Sequence, residues 1–90
     1  IPKELGCLVN LKELWLNDNQ ISKLPDEITN LVNLEYLYLD HNPLKELPEN
    51  IDNLINLKVL EVSNTKLKKL SHNTLLNNIN KHDTKEKFKR

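Results

Sequence analysis

The chain repeats itself every 23 residues, and no other feature narrows its fold as much. Cut at residues 1–23, 24–46 and 47–69, with a remnant from 70, the first two blocks are identical at nine of 23 positions and the second and third at ten. Seven apolar columns run through them: Ile1/Leu24/Leu47/Leu70, Leu5/Ile28/Ile51, Leu8/Leu31/Leu54, Leu11/Leu34/Leu57, Leu14/Leu37/Leu60, Leu16/Leu39/Val62 and Ile21/Leu44/Leu67. A block this short cannot bury enough apolar surface to offset the entropy of ordering its own backbone, so it is stable only when neighbouring copies cover its open edges. Repeats of this length therefore stack, one supersecondary unit upon the next.

The spacing inside a block assigns its two halves. Leu34, Leu37 and Leu39 end in a period of two, with Tyr36, Tyr38 and Asp40 on the other side, as in a short strand with one covered face. Leu11-Leu14-Leu16 and Leu57-Leu60-Val62 repeat that pattern. The half containing Leu24, Pro25, Asp26, Glu27, Ile28 and Leu31 reads as a helical or 3-10 turn, with Pro in its first turn and acids at the positive end of its peptide dipoles. The chain has a single Gly, so its turns fall to Asn and Pro.

The strings Leu11-x-x-Leu14-x-Leu16-x-x-Asn19-x-Ile21 and Leu34-x-x-Leu37-x-Leu39-x-x-Asn42-x-Leu44 resemble the leucine-rich repeat signature. A third, Leu57-x-x-Leu60-x-Val62-x-x-Thr65-x-Leu67, departs in one column. The linking Leu-Pro-x-x-Ile-x-x-Leu-x-Asn-Leu segment is similar to that of the 23-residue subclass found in intracellular scaffolds, Ras-pathway scaffolds of the Shoc type among them, and in bacterial and protist proteins. The resemblance covers residues 1 to about 70. It implies an α/β fold: a right-handed solenoid with short parallel strands on the concave face and 3-10 or helical turns on the convex side. It also implies protein recognition on the concave face, and amides at Asn19 and Asn42 that tie adjacent coils together. Buried backbone groups at such a turn need a side chain able both to donate and to accept. Thr65 supplies fewer groups, so the third coil is expected to be less regular.

Stacked coils place the outward strand positions in columns: Glu13/Tyr36/Val59, Trp15/Tyr38/Glu61 and Asn17/Asp40/Ser63, followed by Asp18/His41/Asn64. All of the Trp and Tyr residues of a chain with 4% aromatics fall on this face. Rimmed by carboxylates, they match the anchors of a binding patch. The partner-binding set is Glu13, Trp15, Asn17, Tyr36, Tyr38, Asp40, His41 and Glu61. A cross-strand Trp15–Tyr38 pair also stabilises a parallel sheet, and the two roles are compatible.

Other chemistries find little support. Ser63, His41 and Asp18 or Asp40 fall near one another, but side chains projecting in parallel from a sheet do not converge on one atom, and no oxyanion hole accompanies them. No enzymatic activity, metal or cofactor is expected, since no Cys/His pair has ligand spacing and the three His residues lie far apart in sequence. Cys7 reads as a partly buried filler. It has no partner for an internal disulfide, and no Asn-x-Ser/Thr triplet occurs, so a cytoplasmic location is expected. No apolar run is long enough to span a bilayer.

The net charge is zero but polarised. Residues 1–65 hold five Lys and eleven acids, net −6, and residues 66–90 hold eight basic and two acidic residues, net +6. Leu75, Leu76 and Ile79 have helical spacing, which predicts a capping helix over 71–80. Residues 81–90 read as a basic disordered tail, without the Arg-rich patterning or stacking aromatics of a nucleic-acid binder. The open edge of the first coil implies either further repeats upstream or self-association through that edge. The expected function is a non-enzymatic interaction module, a scaffold in signal transduction whose concave face binds a protein. The alternative is a structural segment or targeting arm of a larger ligase, kinase or GTPase whose binding coils lie upstream.

Overall fold

The computed structural model describes residues 1–67. The capping helix expected over 71–80 and the tail over 81–90 lie outside the described residues. Three copies of one unit follow in order: 3-10 turn η1 (Lys3–Cys7) and strand β1 (Glu13–Trp15), then η2 (Asp26–Asn30) and β2 (Tyr36–Tyr38), then η3 (Ile51–Asn53) and β3 (Val59–Glu61). The strands form one parallel sheet in the order β1-β2-β3. Its register is the sequence period: Glu13 pairs with Tyr36 and Tyr36 with Val59, Leu14 with Leu37 and Leu37 with Leu60, and Trp15 with Tyr38 and Tyr38 with Glu61.

Burial follows the columns in the second and third coils, whereas Ile1 and Leu8 of the first coil are exposed. Ile28, Leu31, Leu34, Leu37, Leu39 and Leu44 of the second coil are fully buried, as are Ile51, Leu54, Leu57, Leu60 and Val62 of the third. Leu5, Leu11, Leu14, Leu16 and Ile21 of the first coil pack against this core but are only partly buried. The parallel sheet is thus a stack in which each Leu lies against its counterpart one period away, the arrangement that the solitary block lacks.

Backbone hydrogen bonds repeat with the same period. Ile28 N–H donates to Pro25 O (3.1 Å), and Leu5 to Pro2 and Ile51 to Pro48 do the same at 3.2 and 3.1 Å. Pro25 itself is extended (φ −68°, ψ 146°) and caps η2, which starts at Asp26. The sequence expectation of Pro inside the first turn is therefore off by one residue: its carbonyl is the first acceptor, so it is the flanking residue. In the third coil the turn is shorter, three residues against five in the first two.

The turn chemistry differs from expectation. Three non-Gly residues have positive φ, spaced by one period: Asp18 (60°), His41 (60°) and Asn64 (57°). Asn fills only the last of these, and Pro none. Asp, Asn and His are the residues that enter the left-handed region at least cost, since their short polar groups bond locally. The sole Gly serves another purpose. A Cβ on Gly6 would lie 2.7 Å from Glu27 O and 2.8 Å from Glu27 Cβ, so Gly permits η1 to approach η2 closely. Cys7, read from sequence as a partly buried filler, is exposed, and its neighbour Gly6 takes the inward position.

Asn42 ties two coils together. Its Nδ2 donates to Leu16 O (3.0 Å) in the first coil and to Leu39 O (3.0 Å) in its own, while its Oδ1 accepts from Ile21 N–H (3.1 Å). Asn19 is exposed and bonds only within its coil, to Leu16 O and Asn17 O. Its expected tie between coils is absent because the described residues put no coil before it. The Thr65 hydroxyl donates to Val62 O (2.8 Å) and accepts from Leu67 N–H (3.4 Å), again within one coil. The tie at that level is supplied by Lys66 N–H to Leu44 O (2.8 Å), a bond that Pro43, one period earlier, has no N–H to make.

Two outcomes follow in urea unfolding. Asn42→Ala leaves several buried backbone groups without partners and lowers stability by about 3 kcal/mol, whereas Asn19→Ala, at an exposed site, costs under about 1 kcal/mol. Gly6→Ala forces η1 away from the Glu27 backbone and costs about 1–3 kcal/mol.

Candidate functional site

The strands are only three residues long, but parallel pairing makes their outward side chains a continuous surface. The stacking interval is about 4.8 Å. Trp15 is 60% exposed, and Tyr36 and Tyr38 are half-buried beside it. Trp15 and Tyr38 stack, with ring centroids 4.0 Å apart and planes at 27°. The indole N–H donates to Glu13 Oε1 (3.1 Å), which fixes the ring on the sheet while its outer face stays in solvent. Glu61 continues the column beyond Tyr38, and one of its oxygens accepts from the Ser63 hydroxyl (2.7 Å).

At the strand ends the polar residues form a chain. Asn17 Nδ2 donates to Asp18 Oδ2 (3.0 Å). His41 Nδ1 lies 3.0 Å from Asp40 Oδ2 and 3.7 Å from Asp18 Oδ1. On the other side of the ring, Asn64 Nδ2 is 3.1 Å from His41 Nε2. The imidazole thus lies between the two carboxylates on one side and the Asn64 amide on the other. The left-handed backbone at Asp18, His41 and Asn64 turns these side chains alongside one another. The structure thus brings all eight residues of the partner-binding set, Glu13, Trp15, Asn17, Tyr36, Tyr38, Asp40, His41 and Glu61, to one side of the sheet and its C-terminal rim. Of the residues weighed for catalysis, His41 Nε2 faces Asn64 and the Ser63 hydroxyl donates to Glu61. Among the described residues no group of three or more His, Cys, Asp or Glu could hold a metal ion, and no helix is long and apolar enough to cross a membrane.

Two repeating columns escaped the sequence reading. Asn33 Nδ2 donates to Val9 O (2.9 Å) and Asn56 Nδ2 to Val32 O (2.8 Å), a second amide ladder between coils on the return side. The column Asn10/Asn33/Asn56, Asn in all three blocks, was the available signal. Val9, Val32 and Ile55 form the other, an exposed apolar row at 48%, 44% and 61%. They too occur once per block, but a β-branched residue before Asn-Leu reads as interior until the backbone turn is known.

The aromatic pair supplies a local test. In a double-mutant cycle with Trp15→Ala and Tyr38→Ala, the two losses of stability are expected to couple by about 1 kcal/mol, read by urea unfolding. Strict additivity would show that the rings do not stack in solution.

Comparison with known proteins agrees with this geometry. The family described as leucine-rich repeat region matches residues 2–89. A solved structure of a leucine-rich repeat protein from Leptospira interrogans is similar, with a TM-score of 0.63 and 28% identity over 93% of this chain. This chain spans 27% of that one. No curated protein gives a significant match. The match over nearly the whole chain, the 23-residue register of the parallel sheet and the 3-10 return turns together place this protein in the leucine-rich repeat family.

Proposed function

We propose that this protein binds a protein partner through the outward face of its sheet, using Glu13, Trp15, Asn17, Tyr36, Tyr38, Asp40, His41 and Glu61. Leucine-rich repeat domains generally mediate protein–protein interactions and are generally non-enzymatic. The observation that carries the assignment to this face is the Trp15–Tyr38 stack, which leaves a 60% exposed indole held rigid by Glu13. Trp and Tyr fixed in one rotamer lose little entropy on contact and contribute large apolar area, which is why they recur as binding anchors. Parallel crossovers are right-handed in nearly all proteins, and continued stacking of such coils gives a solenoid with its strands on the concave side. The 23-residue period and a Cys without an internal partner support a cytoplasmic module of the intracellular subclass, acting as a scaffold in signalling.

A second reading is favoured by one comparison: the similar Leptospira chain is several times longer than this one. On that reading the coils are a segment or targeting arm of a larger protein, and neighbouring coding sequence with further in-frame repeats or a catalytic domain would reveal it.

The test of the strand-face assignment is affinity capture from source-cell lysate with mass spectrometry. Trp15→Ala with Tyr38→Ala is expected to lower capture of the main partner at least about tenfold while circular dichroism stays unchanged. A Val32→Ser, Ile55→Ser control on the exposed apolar row is expected to retain capture. Loss of capture in the control alone would move the binding surface to the other side of the molecule.

A further inference from the structure

We infer that the segment accepted by this face is cationic, carrying Arg or Lys side chains that lie across the Trp15–Tyr38 stack among the carboxylates of Glu13, Asp40 and Glu61. The inference rests on the strand-face reading and adds the chemistry of the partner. The nine outward positions of the three strands and their ends (13, 15, 17, 36, 38, 40, 59, 61 and 63) hold three carboxylates and neither Lys nor Arg. Asp18 adds a fourth carboxylate at the rim, with its side chain 69% exposed. Lys58, which precedes β3, faces Glu35 at 3.7 Å and not this surface. Among the described residues the nine strand-face positions therefore present net negative charge around an aromatic platform.

The geometry suits one kind of side chain better than others. The column Trp15, Tyr38, Glu61 runs from an exposed indole through a stacked phenol to a carboxylate, at successive coil intervals. A guanidinium stacks flat on an aromatic ring and donates in its own plane, so it reaches a ring and a flanking carboxylate together. Glu13 and Glu61 are each steadied through one oxygen, by the Trp15 indole and the Ser63 hydroxyl, which orients them without neutralising them. An ammonium fits the charge but not the plane. Arginine is accordingly preferred over lysine.

The only Trp of the chain lies within the site, so its emission reports occupancy directly. The full chain is titrated with synthetic peptides of five Gly-Arg, five Gly-Lys or five Gly-Glu repeats at low and moderate salt. A saturable change in Trp15 emission is expected with the Arg peptide, a weaker one with Lys and none with Glu, and affinity falls as salt rises. In Glu13→Gln, Asp40→Asn, Glu61→Gln the Arg peptide should bind at least about tenfold more weakly with unchanged circular dichroism. Equal binding by that variant, or equal binding of the Glu peptide, overturns the charge assignment. Peptide binding that tightens tenfold once Lys81, Lys85, Lys87, Lys89 and Arg90 are changed to Gln assigns the face to the chain's own basic end and overturns a separate partner as its occupant. The two readings separate in the capture experiment: a partner retained by the carboxylate variant but lost by Trp15→Ala with Tyr38→Ala refutes the cationic segment and leaves the strand face standing.

Discussion

In-register stacking of successive coils is the constraint on which everything else in this molecule depends. Leu14, Leu37 and Leu60 lie in one row because β1, β2 and β3 are parallel and offset by one period each. The backbone follows the same rule: Leu16 N–H bonds to Tyr38 O (2.9 Å) and Leu39 N–H to Glu61 O (2.8 Å), so each coil satisfies polar groups of the coil before it. Neither the apolar row nor the ladder exists within one block. Shifting one strand by a single residue would turn its Leu outward and its aromatics inward, and stacking with six further apolar columns makes that shift costly.

Turn chemistry is distributed among the coils without being copied. At the junction of the first two, Pro43 has no N–H to offer, and Asn42 reaches across to Leu16 O and Ile21 N–H. At the next junction Thr65 does not reach across, and Lys66 N–H bonds to Leu44 O. The buried polar groups of both junctions are met by different atoms, which is what a requirement on hydrogen bonding imposes and a requirement on residue identity does not. Left-handed backbone at Asp18, His41 and Asn64 has a consequence beyond the turn itself, since it sets the acid, imidazole and amide side by side at the rim of the strand face.

The strand face gains its character from the same stacking. Separate aromatics on three-residue strands would be mobile and weak as anchors, but the coil interval brings Trp15 onto Tyr38 and Glu13 holds the indole N–H. The pair adds to the sheet and leaves an exposed indole, the feature on which the proposed recognition rests. Glu13 and Glu61 beside it are oriented by the Trp15 indole and the Ser63 hydroxyl.

Much of this was legible in the sequence because periodicity is a property of order along the chain. Columns of Leu and a period-two strand pattern fix which residues face inward, and with the period they fix the register of Glu13, Tyr36 and Val59 and of Trp15, Tyr38 and Glu61. The family resemblance added the role of Asn42. Tertiary structure alone decided matters that depend on the distance between coils. Gly6 is needed where η1 meets Glu27, and Cys7 beside it is exposed. Asn33 and Asn56 find carbonyl groups 24 residues away, and Asn19, identical in type to Asn42, stays within its own coil. A repeat pattern specifies what each coil can offer, but whether an amide bridges, a thiol is covered or a Cβ fits is set by the neighbour's backbone, whose position only the packed coils determine.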